Sequence, residues 1–298
     1  MRIISVLKNR LKWSWNGILS FYAKHFMQAP IVLSNDETLN LIINEHYSIS
    51  RNGDGELNIM LGRNIPFQMY DARLAAIMRE AHTVTMDHYI SCVPDVFSGY
   101  KNFNKKACDY YDRFLHTNRY AWTKLAKAPR YGNTFVTRFY MDYVDKSNSP
   151  KQVNRLKQVW EGQDIILVEG MESKLGVNND LFDGARSLRR ILGPAENAFS
   201  VYDQLMDCVK KEASKDGLIL LALGPTATAM AYELAKEGYW AVDIGHIDIE
   251  YEWMLMGATS KVNVPGKYTN ESTGEKIVGQ LPQEALQKYE SQIITRIQ

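Results

Sequence analysis

Two carboxylates near position 55 have the types and the spacing needed to bind one metal ion. Asp54 and Glu56 stand on either side of Gly55, in a glycine-punctuated turn that follows a short β-like run over residues 47–50. Carboxylates two positions apart on a tight turn can both reach one hard cation, and their oxygens suit Mg²⁺ or Mn²⁺. Arg51, just before the turn, adds a bidentate phosphate binder. The alternative is an ordinary acidic turn, since Asn, Gly and Asp are common turn residues.

A second group of residues has the features of an anion-binding site. Gly224 follows an apolar run over residues 218–223 and lets the backbone approach a ligand closely, and Pro225 suits the first position of a helix. The first turn holds no acid, so its free N–H groups keep their positive character, and Thr226 and Thr228 add hydroxyls. We therefore predict a diphosphate site here, with a plain strand-to-helix junction as the alternative. The P-loop ending Gly-Lys-Ser/Thr is absent, as is the dinucleotide pattern of glycines.

A third group combines a histidine with acids. His246, Asp248, Glu250 and Glu252 alternate along the chain. On a helix Asp248 and Glu252 share a face, whereas on a strand all four side chains would line one face. Either geometry could supply a general base or a metal contact, so His246, Asp248 and Glu252 are our candidate catalytic residues. The alternative is a solvated acidic face with His246 as a cap.

The elements that must position these residues alternate between strand and helix. We predict strands and helices from apolar runs, periodicity and Gly or Pro punctuation. The predicted strands cover 47–50, part of 83–93, 164–169, 197–201, 218–223 and 239–244. The predicted helices cover 37–45, 55–61, 74–81, much of 97–145, 181–192, 202–214, 225–237, a stretch from 246, and 283–296. This order predicts an α/β, Rossmann-like fold with a mostly parallel sheet flanked by helices.

In such sheets ligands bind outside the carboxyl ends of the strands, and the three groups all follow predicted strands. They should therefore face one pocket. Asn179 and Asp180, in the loop after the strand at 164–169, are further candidates for holding a polar ligand. For Arg186, Arg189 and Arg190 we favour a solvated helix face.

Composition limits the class of protein. The chain has 298 residues, is 45% apolar and carries a net charge of +1, which is ordinary globular composition and argues against a general nucleic-acid binder. Its three cysteines are scattered, as expected of thiols in a reducing compartment, so we expect a cytoplasmic location. We expect one domain over residues 31–298, with self-association an open alternative.

The first 30 residues form a distinct basic, amphipathic segment. They hold lysines and arginines but no acid, which first appears at Asp36. Apolar residues recur at helical spacing, namely Ile4, Leu7, Leu11, Trp15, Ile18, Tyr22 and Phe26. Over residues 1–28 we expect a helix that either lies on the inner face of an anionic membrane or packs its apolar stripe on the domain.

Several short motifs in consistent order resemble the bacterial GT-D-type glycosyltransferases, formerly a domain of unknown function associated with adhesin glycosylation and surface polysaccharides. The motifs are residues 50–56, 169–170 with 179–182, 197–199, 224–228, 243–248 and 264–268. The resemblance covers about residues 35–271.

The resemblance implies transfer of a sugar, a hexose by our expectation, from a UDP-sugar to a saccharide or glycoprotein acceptor. It implies Mn²⁺ or Mg²⁺ at Asp54 and Glu56, and activity-critical positions at His246 and Glu252. Arg51, Gly53, Asn179, Asp180, Gly224, Thr226 and Thr228 are the expected nucleotide-sugar-binding residues. Two other functions stay open: a metal-dependent phosphohydrolase of nucleotide-sugars, and a non-catalytic nucleotide-binding scaffold in polysaccharide assembly.

Overall fold

The computed structural model of the chain describes residues 2–269, 271, 272, 275 and 277–298, and side chains from residue 10 onward. The helices are α1 Arg2–Phe26, α2 Asn35–Glu45, α3 Asp54–Met60, α4 Ala72–Thr83, α5 Lys105–Leu125, α6 Ser149–Lys157, α7 Tyr202–Glu212, α8 Pro225–Lys236, α9 Ile247–Leu255 and α10 Gln283–Gln292. The strands are β1 Ser48–Arg51, β2 Tyr89–Val93, β3 Gly132–Asn133, β4 Asp164–Gly170, β5 Ser187–Gly193, β6 Leu218–Ala222, β7 Trp240–Asp243 and β8 Ile293–Arg296.

The strands form one sheet in the order β3-β2-β1-β7-β6-β4-β5-β8. Every neighbouring pair is parallel, from β1 with β2 to β5 with β8. The predicted fold class, a Rossmann-like α/β sheet with an N-terminal helix, is confirmed. Among the residues that the structure describes, no helix combines the length and the apolarity needed to cross a membrane.

Helices cover both faces of the sheet, and the strands supply apolar side chains to each face in turn. In β4, Ile166 and Val168 join the core under α4, α7 and α8, whereas Ile165 and Leu167 join the opposite core under α2, α6 and α9. Strands buried on both faces read as continuous apolar runs, which is why β4 and β6 were visible in the sequence.

The chain leaves the adjacent strands β1 and β7 towards opposite faces. After β1 it enters α3, whose Leu57 and Met60 pack in the first core. After β7 it enters α9, whose Ile249 and Trp253 pack in the second core. The divergence leaves a crevice at the carboxyl ends of β1 and β7, where open α/β sheets bind their ligands.

Three predicted elements are wrong, and tertiary pairing explains two of them. The predicted helix over 181–192 is a set of turns followed by β5, which pairs along its whole length with β4. The predicted helix over 283–296 ends at Gln292, and Ile293–Arg296, whose first three residues are β-branched, continues as β8 beside β5. The predicted strand over 197–201 is a 3₁₀ turn, Ala198–Val201.

Candidate active site

A cavity of about 880 Å³ opens at the carboxyl edge of the sheet, beside the ends of β1, β6 and β7. Its walls include the predicted residues Arg51, Gly53, Asp54, Glu56, Gly224, His246 and Asp248. A volume of this size lies within the range of small-molecule sites. The acids near position 55 and the start of α8 therefore face one shared space.

The pair Asp54 and Glu56 begins α3. The Gly53 N–H donates to Glu56 Oε2 at 2.7 Å, so this carboxylate also caps the helix. Removal of the Glu56 carboxyl from water raises its pKa to about 7; two backbone N–H groups oppose the shift, and the charges of Asp243 and Asp54 add to it. Neither carboxylate forms an ion pair within the described part of the chain. Among the described residues, therefore, no cationic side chain compensates the negative charge of this pair.

The end of β7 fixes the end of β1 through Asp243. This buried carboxylate accepts the Arg51 N–H at 3.1 Å, and its Oδ1 lies 3.8 Å from Arg51 Nη1. Burial raises the pKa of Asp243, and the Arg51 guanidinium opposes that rise. Gly245 has φ +48°, and a Cβ there would collide with the guanidinium, so glycine leaves the room that Arg51 occupies. Arg51 is thus held at the cavity wall.

The start of α8 reaches the cavity with its backbone rather than with its hydroxyls. Gly224 lines the cavity with φ +54°, where a Cβ would lie 2.9 Å from Phe67 Cε2. Thr226 and Thr228 are fully buried. The Thr228 hydroxyl bonds the Arg51 carbonyl at 3.0 Å and lies 3.1 Å from Asp243 Oδ2. These hydroxyls brace the junction, and a direct ligand contact for them stays a prediction.

His246 lies on the cavity wall at the start of α9. Burial lowers its pKa to about 4; the nearby charge of Glu271 opposes this shift, and Arg138, Arg51 and Lys261 add to it. The ring is therefore neutral around pH 7 and keeps a lone pair that can accept a proton.

Asp248 and Glu252 are occupied by partners inside the protein. The buried Lys267 places Nζ 2.8 Å from Asp248 Oδ2 and 2.7 Å from Glu252 Oε1. The Asn179 amide donates to both carboxylates, at 2.9 and 2.7 Å. Asp248 touches the cavity, whereas Glu252 and Asn179 do not line it. We infer that this pair orients α9 and the turn around Lys267.

Two further predicted groups lie away from the cavity. Asp180 does not line it and bonds Lys157 Nζ at 2.7 Å and the Tyr251 hydroxyl. Arg190, expected on a solvated helix face, is instead a buried residue of β5 that pairs with Glu169. The assignment of Arg190 to a solvated helix surface was wrong. Arg190 is paired with Glu169 because β5 lies beside β4 in the sheet, and the local sequence does not show which strands are neighbours.

A charged wall of the cavity combines Arg138, a residue that the sequence offered as a sugar or base contact, with Glu271 and Lys261, which sequence reasoning missed. Arg138 forms a bidentate pair with Glu271 at 2.6 and 3.0 Å, and Lys261 joins the same carboxylate. Burial raises the pKa of Glu271, but the two cations overcome that effect and hold it well below its usual range. Tyr110, on α5, also lines the cavity; burial, with the adjacent charge of Asp54, raises its pKa. These partners lie far apart in the chain, so no local signal marks them.

The donor set at Asp54 and Glu56 fits a Mg²⁺ or Mn²⁺ ion. Within the described residues, no three His, Cys, Asp or Glu side chains converge as a complete protein-made metal site. Two uncompensated carboxylates on a cavity wall suit these cations, which complete their coordination with water and substrate phosphates.

An all-parallel sheet with acids, an arginine and an acid-free helix start around its crevice defines the class of Rossmann-like α/β proteins that bind ligands at the carboxyl edge. Within that class, the chain belongs to the glycosyltransferase GT-D fold family, whose model matches residues 49–272. The family expected from the sequence motifs is confirmed.

The chain is similar to streptococcal proteins and to a solved structure. It is 39% identical over 267 residues to the probable glycosyl transferase Gly of Streptococcus gordonii, and 40% identical over 279 residues to glycosyltransferase GlyD of Streptococcus pneumoniae serotype 4. These matches cover 89% and 92% of this chain but 39% and 34% of the relatives, so the chain spans less than half of their length.

One similar solved structure is a domain described as having a distinct glycosyltransferase fold. It shares 39% identity and a TM-score of 0.87 with this chain, and the match covers 94% of this chain and 100% of that one.

Proposed function

We propose that the chain is a metal-dependent glycosyltransferase that moves a hexose from a UDP-sugar to a saccharide or glycoprotein acceptor. The observation that carries the proposal is the shared cavity: the uncompensated Asp54 and Glu56 face the same space as the start of α8. A cation with a diphosphate would neutralise the acids on one side and meet the backbone of Gly224 and the positive dipole end of the acid-free helix α8 on the other. Family membership supports the reaction class.

The departing nucleotide would be held on the side of the cavity formed by Arg51, Asp54, Glu56 and the start of α8. Asp54 and Glu56 would bind Mn²⁺ or Mg²⁺, which supplies Lewis-acid stabilisation of negative charge on a leaving diphosphate. Arg51 and the N-terminus of α8 would stabilise the same developing charge from the protein side, without reorganisation during the reaction. Gly53 and Gly224 allow the backbone to lie close to the ligand.

The start of α9, where His246 lies, would receive the proton of the acceptor hydroxyl. Of the candidates in the 246–252 segment, His246 lines the cavity with a neutral ring, whereas Asp248 and Glu252 are bound to Lys267. We therefore assign proton acceptance from the acceptor hydroxyl to His246 for an inverting reaction, and orientation of α9 to the two acids.

Enzymatic release of UDP tests this proposal. Purified chain would be incubated with Mn²⁺, UDP-glucose, UDP-galactose or UDP-N-acetylglucosamine, and simple glycoside acceptors. We expect acceptor-dependent UDP release that falls at least about a hundredfold in Asp54→Asn, since charge stabilisation in the transition state is removed. Asp183→Asn, an exposed acid outside the cavity, is the matched control and should stay active.

The rival functions give different results in the same assay. Cleavage of the sugar nucleotide at equal rates with and without acceptor would indicate a phosphohydrolase. Tight UDP binding without any turnover would indicate a scaffold. Full activity of the double variant Asp54→Ala/Glu56→Ala would contradict the metal assignment.

A further inference from the structure

The apolar stripe of α1 faces away from the rest of the protein. Leu11, Trp15, Ile18, Tyr22 and Phe26 keep between 49% and 71% of their surface exposed. At about 100° per residue they fall in an arc of roughly 80° on the helix. The sequence left open whether this stripe packs on the domain, and the structure shows that most of its described surface does not. Tyr22 reaches α5 at the edge of its ring, with ring centroids 6.5 Å from Tyr120. Large apolar side chains clustered on one exposed face indicate an interaction site.

The opposite side of α1 makes the contact with the domain. Ala23 is buried there, and the Ser20 hydroxyl donates to the Leu115 carbonyl of α5 at 2.9 Å. Trp13 stacks on His116 of α5 with ring centroids 4.0 Å apart, and its carbonyl lies 3.0 Å from the His116 ring nitrogen. Small and polar residues thus fix the helix, which leaves the bulky apolar residues outside. The exposed stripe is a consequence of how the helix docks.

The charges around the stripe have one sign. Between Met1 and Asn35 the chain contains basic residues and no acid. Arg10 and Lys12 lie about 100° to either side of Leu11 on the helix, so they flank the apolar arc on both edges. Lys24 adds a third exposed cation on the same helix. An apolar arc bordered by cations is the pattern of helices that lie in the interface of an anionic membrane.

We propose that α1 docks the protein on anionic phospholipid, with the helix axis along the membrane surface. Leu11, Ile18 and Phe26 would enter the boundary between headgroups and acyl chains, and Trp15 and Tyr22 would sit at headgroup level, where amphipathic rings are favoured. Arg10 and Lys12 would contact lipid phosphates.

A membrane suits this face better than a second copy of the chain. In a two-fold dimer through this face, each stripe would meet its own duplicate, and the flanking cations of both copies would come together. No acid on α1 is available to neutralise them. Anionic lipid supplies the missing negative charge.

The docking helix lies close to the candidate active site. α5 carries α1 through Leu115 and His116, and it lines the cavity through Tyr110 and Phe114. One helix, roughly 10 Å across, therefore separates the membrane-docking helix from the cavity. The proposed docking would hold the cavity near the membrane surface, whichever reaction takes place in it.

Two tryptophans on α1 give a matched spectroscopic test. The other four tryptophans of the chain are buried, so Trp13 and Trp15 are the ones open to a quencher. Trp15 lies within the apolar arc, whereas Trp13 stacks on α5. With vesicles that contain phosphatidylglycerol and brominated lipid, we expect quenching in wild type and in Trp13→Phe, but not in Trp15→Phe. Equal quenching in both single variants would overturn the proposed orientation.

Flotation with vesicles tests the docking itself in the full chain. We expect binding to phosphatidylcholine–phosphatidylglycerol vesicles and at least about tenfold weaker binding to pure phosphatidylcholine or at high salt. The triple variant Leu11→Gln/Ile18→Gln/Phe26→Gln should lose binding to a similar degree. Leu255→Gln/Met256→Gln, two exposed apolar residues at the end of α9, is the matched control and should bind like wild type.

Three results would overturn the proposal. They are equal binding to neutral and anionic vesicles, unchanged binding of the triple variant, and self-association in analytical ultracentrifugation that the triple variant abolishes without any vesicle binding by wild type. The last result would identify a second copy of the chain as the occupant. Because vesicle binding needs no sugar transfer, failure here and failure of the proposed reaction are separate observations.

Discussion

Two pairs of acids lie at the carboxyl edge of the sheet, and the protein treats them in opposite ways. Asp54 and Glu56 face the cavity without an ion-pair partner in the described part of the chain, whereas Asp248 and Glu252 share the buried Lys267 and the amide of Asn179. A carboxylate without a cationic side-chain partner can bind a ligand's cation. One that is already neutralised instead holds the chain together. The difference separates the proposed binding pair, Asp54 and Glu56, from the structural pair, Asp248 and Glu252.

The largest effect should come from breaking the structural pair. Lys267→Met would leave Asp248 buried without its cation, and an uncompensated buried charge costs about 3–5 kcal/mol. We therefore expect the free energy of unfolding to fall by about that amount in urea denaturation.

The control is Lys288→Met, which removes an exposed lysine. Its Nζ lies 3.9 Å from Asp183 with both side chains largely exposed, and such pairs contribute about 0–1 kcal/mol. Adding Asp248→Asn to Lys267→Met should recover part of the loss. A change below about 1 kcal/mol in Lys267→Met would remove the distinction between the two pairs.

The binding pair should behave in the reverse way. Asp54→Asn/Glu56→Gln leaves no charge unpaired, and the amide oxygen introduced at position 56 can still accept the Gly53 N–H, so ligand-free stability should not fall. Because burial raises the pKa of Glu56 to about 7, removal of its charge should increase the free energy of unfolding at neutral pH. With UDP and Mn²⁺ at a hundred times their dissociation constant, wild type should gain about 2.7 kcal/mol. The double variant should show no such gain in a thermal-shift series.

UDP without metal and Mn²⁺ without UDP are the controls for this series, and Asp183→Asn is the matched variant. If the double variant kept the full metal-dependent gain, the cation would bind elsewhere. If it unfolded in the absence of ligand, the pair would be structural after all.

Local sequence predicted the binding pair's position better than the structural pair's role. Asp54 and Glu56 lie where β1 ends and α3 begins. Turn chemistry, together with the rule that ligands bind at the carboxyl ends of parallel strands, is therefore enough to place them. Asp248 and Glu252 were found by the same rule, but Lys267 lies beyond α9 in a polar, turn-rich segment. Only the folded chain shows that their charge is already neutralised.

The same limit explains the missed elements of the sheet. β6 is a pure apolar run and β4 has four consecutive apolar residues over 165–168, and both were predicted, whereas β5 contains Arg189 and Arg190, which are typical of a helix surface. Arg190 is buried because β4 places Glu169 beside it. The burial of a charged strand residue is explained by its partner on the neighbouring strand. Which strands are neighbours depends on the whole fold and cannot be read from local sequence.

Another acid on the cavity wall, Glu271, sharpens the comparison through the pH dependence of stability. Glu271 is paired with Arg138 and Lys261, which hold its pKa well below 4.5 despite burial. A carboxyl with a lowered folded-state pKa stabilises the protein above its unfolded pKa, and that contribution is lost as the pH falls through the folded value. Glu271→Gln should therefore be less stable than wild type around pH 7, by about 1–3 kcal/mol for a charge-assisted pair.

Urea denaturation in metal-free buffer from neutral pH to below pH 4 should show the two curves converging. Glu284→Gln, an exposed acid in α10, should run parallel to wild type throughout. A constant gap between Glu271→Gln and wild type at every pH would mean that packing, and not charge pairing, accounts for Glu271.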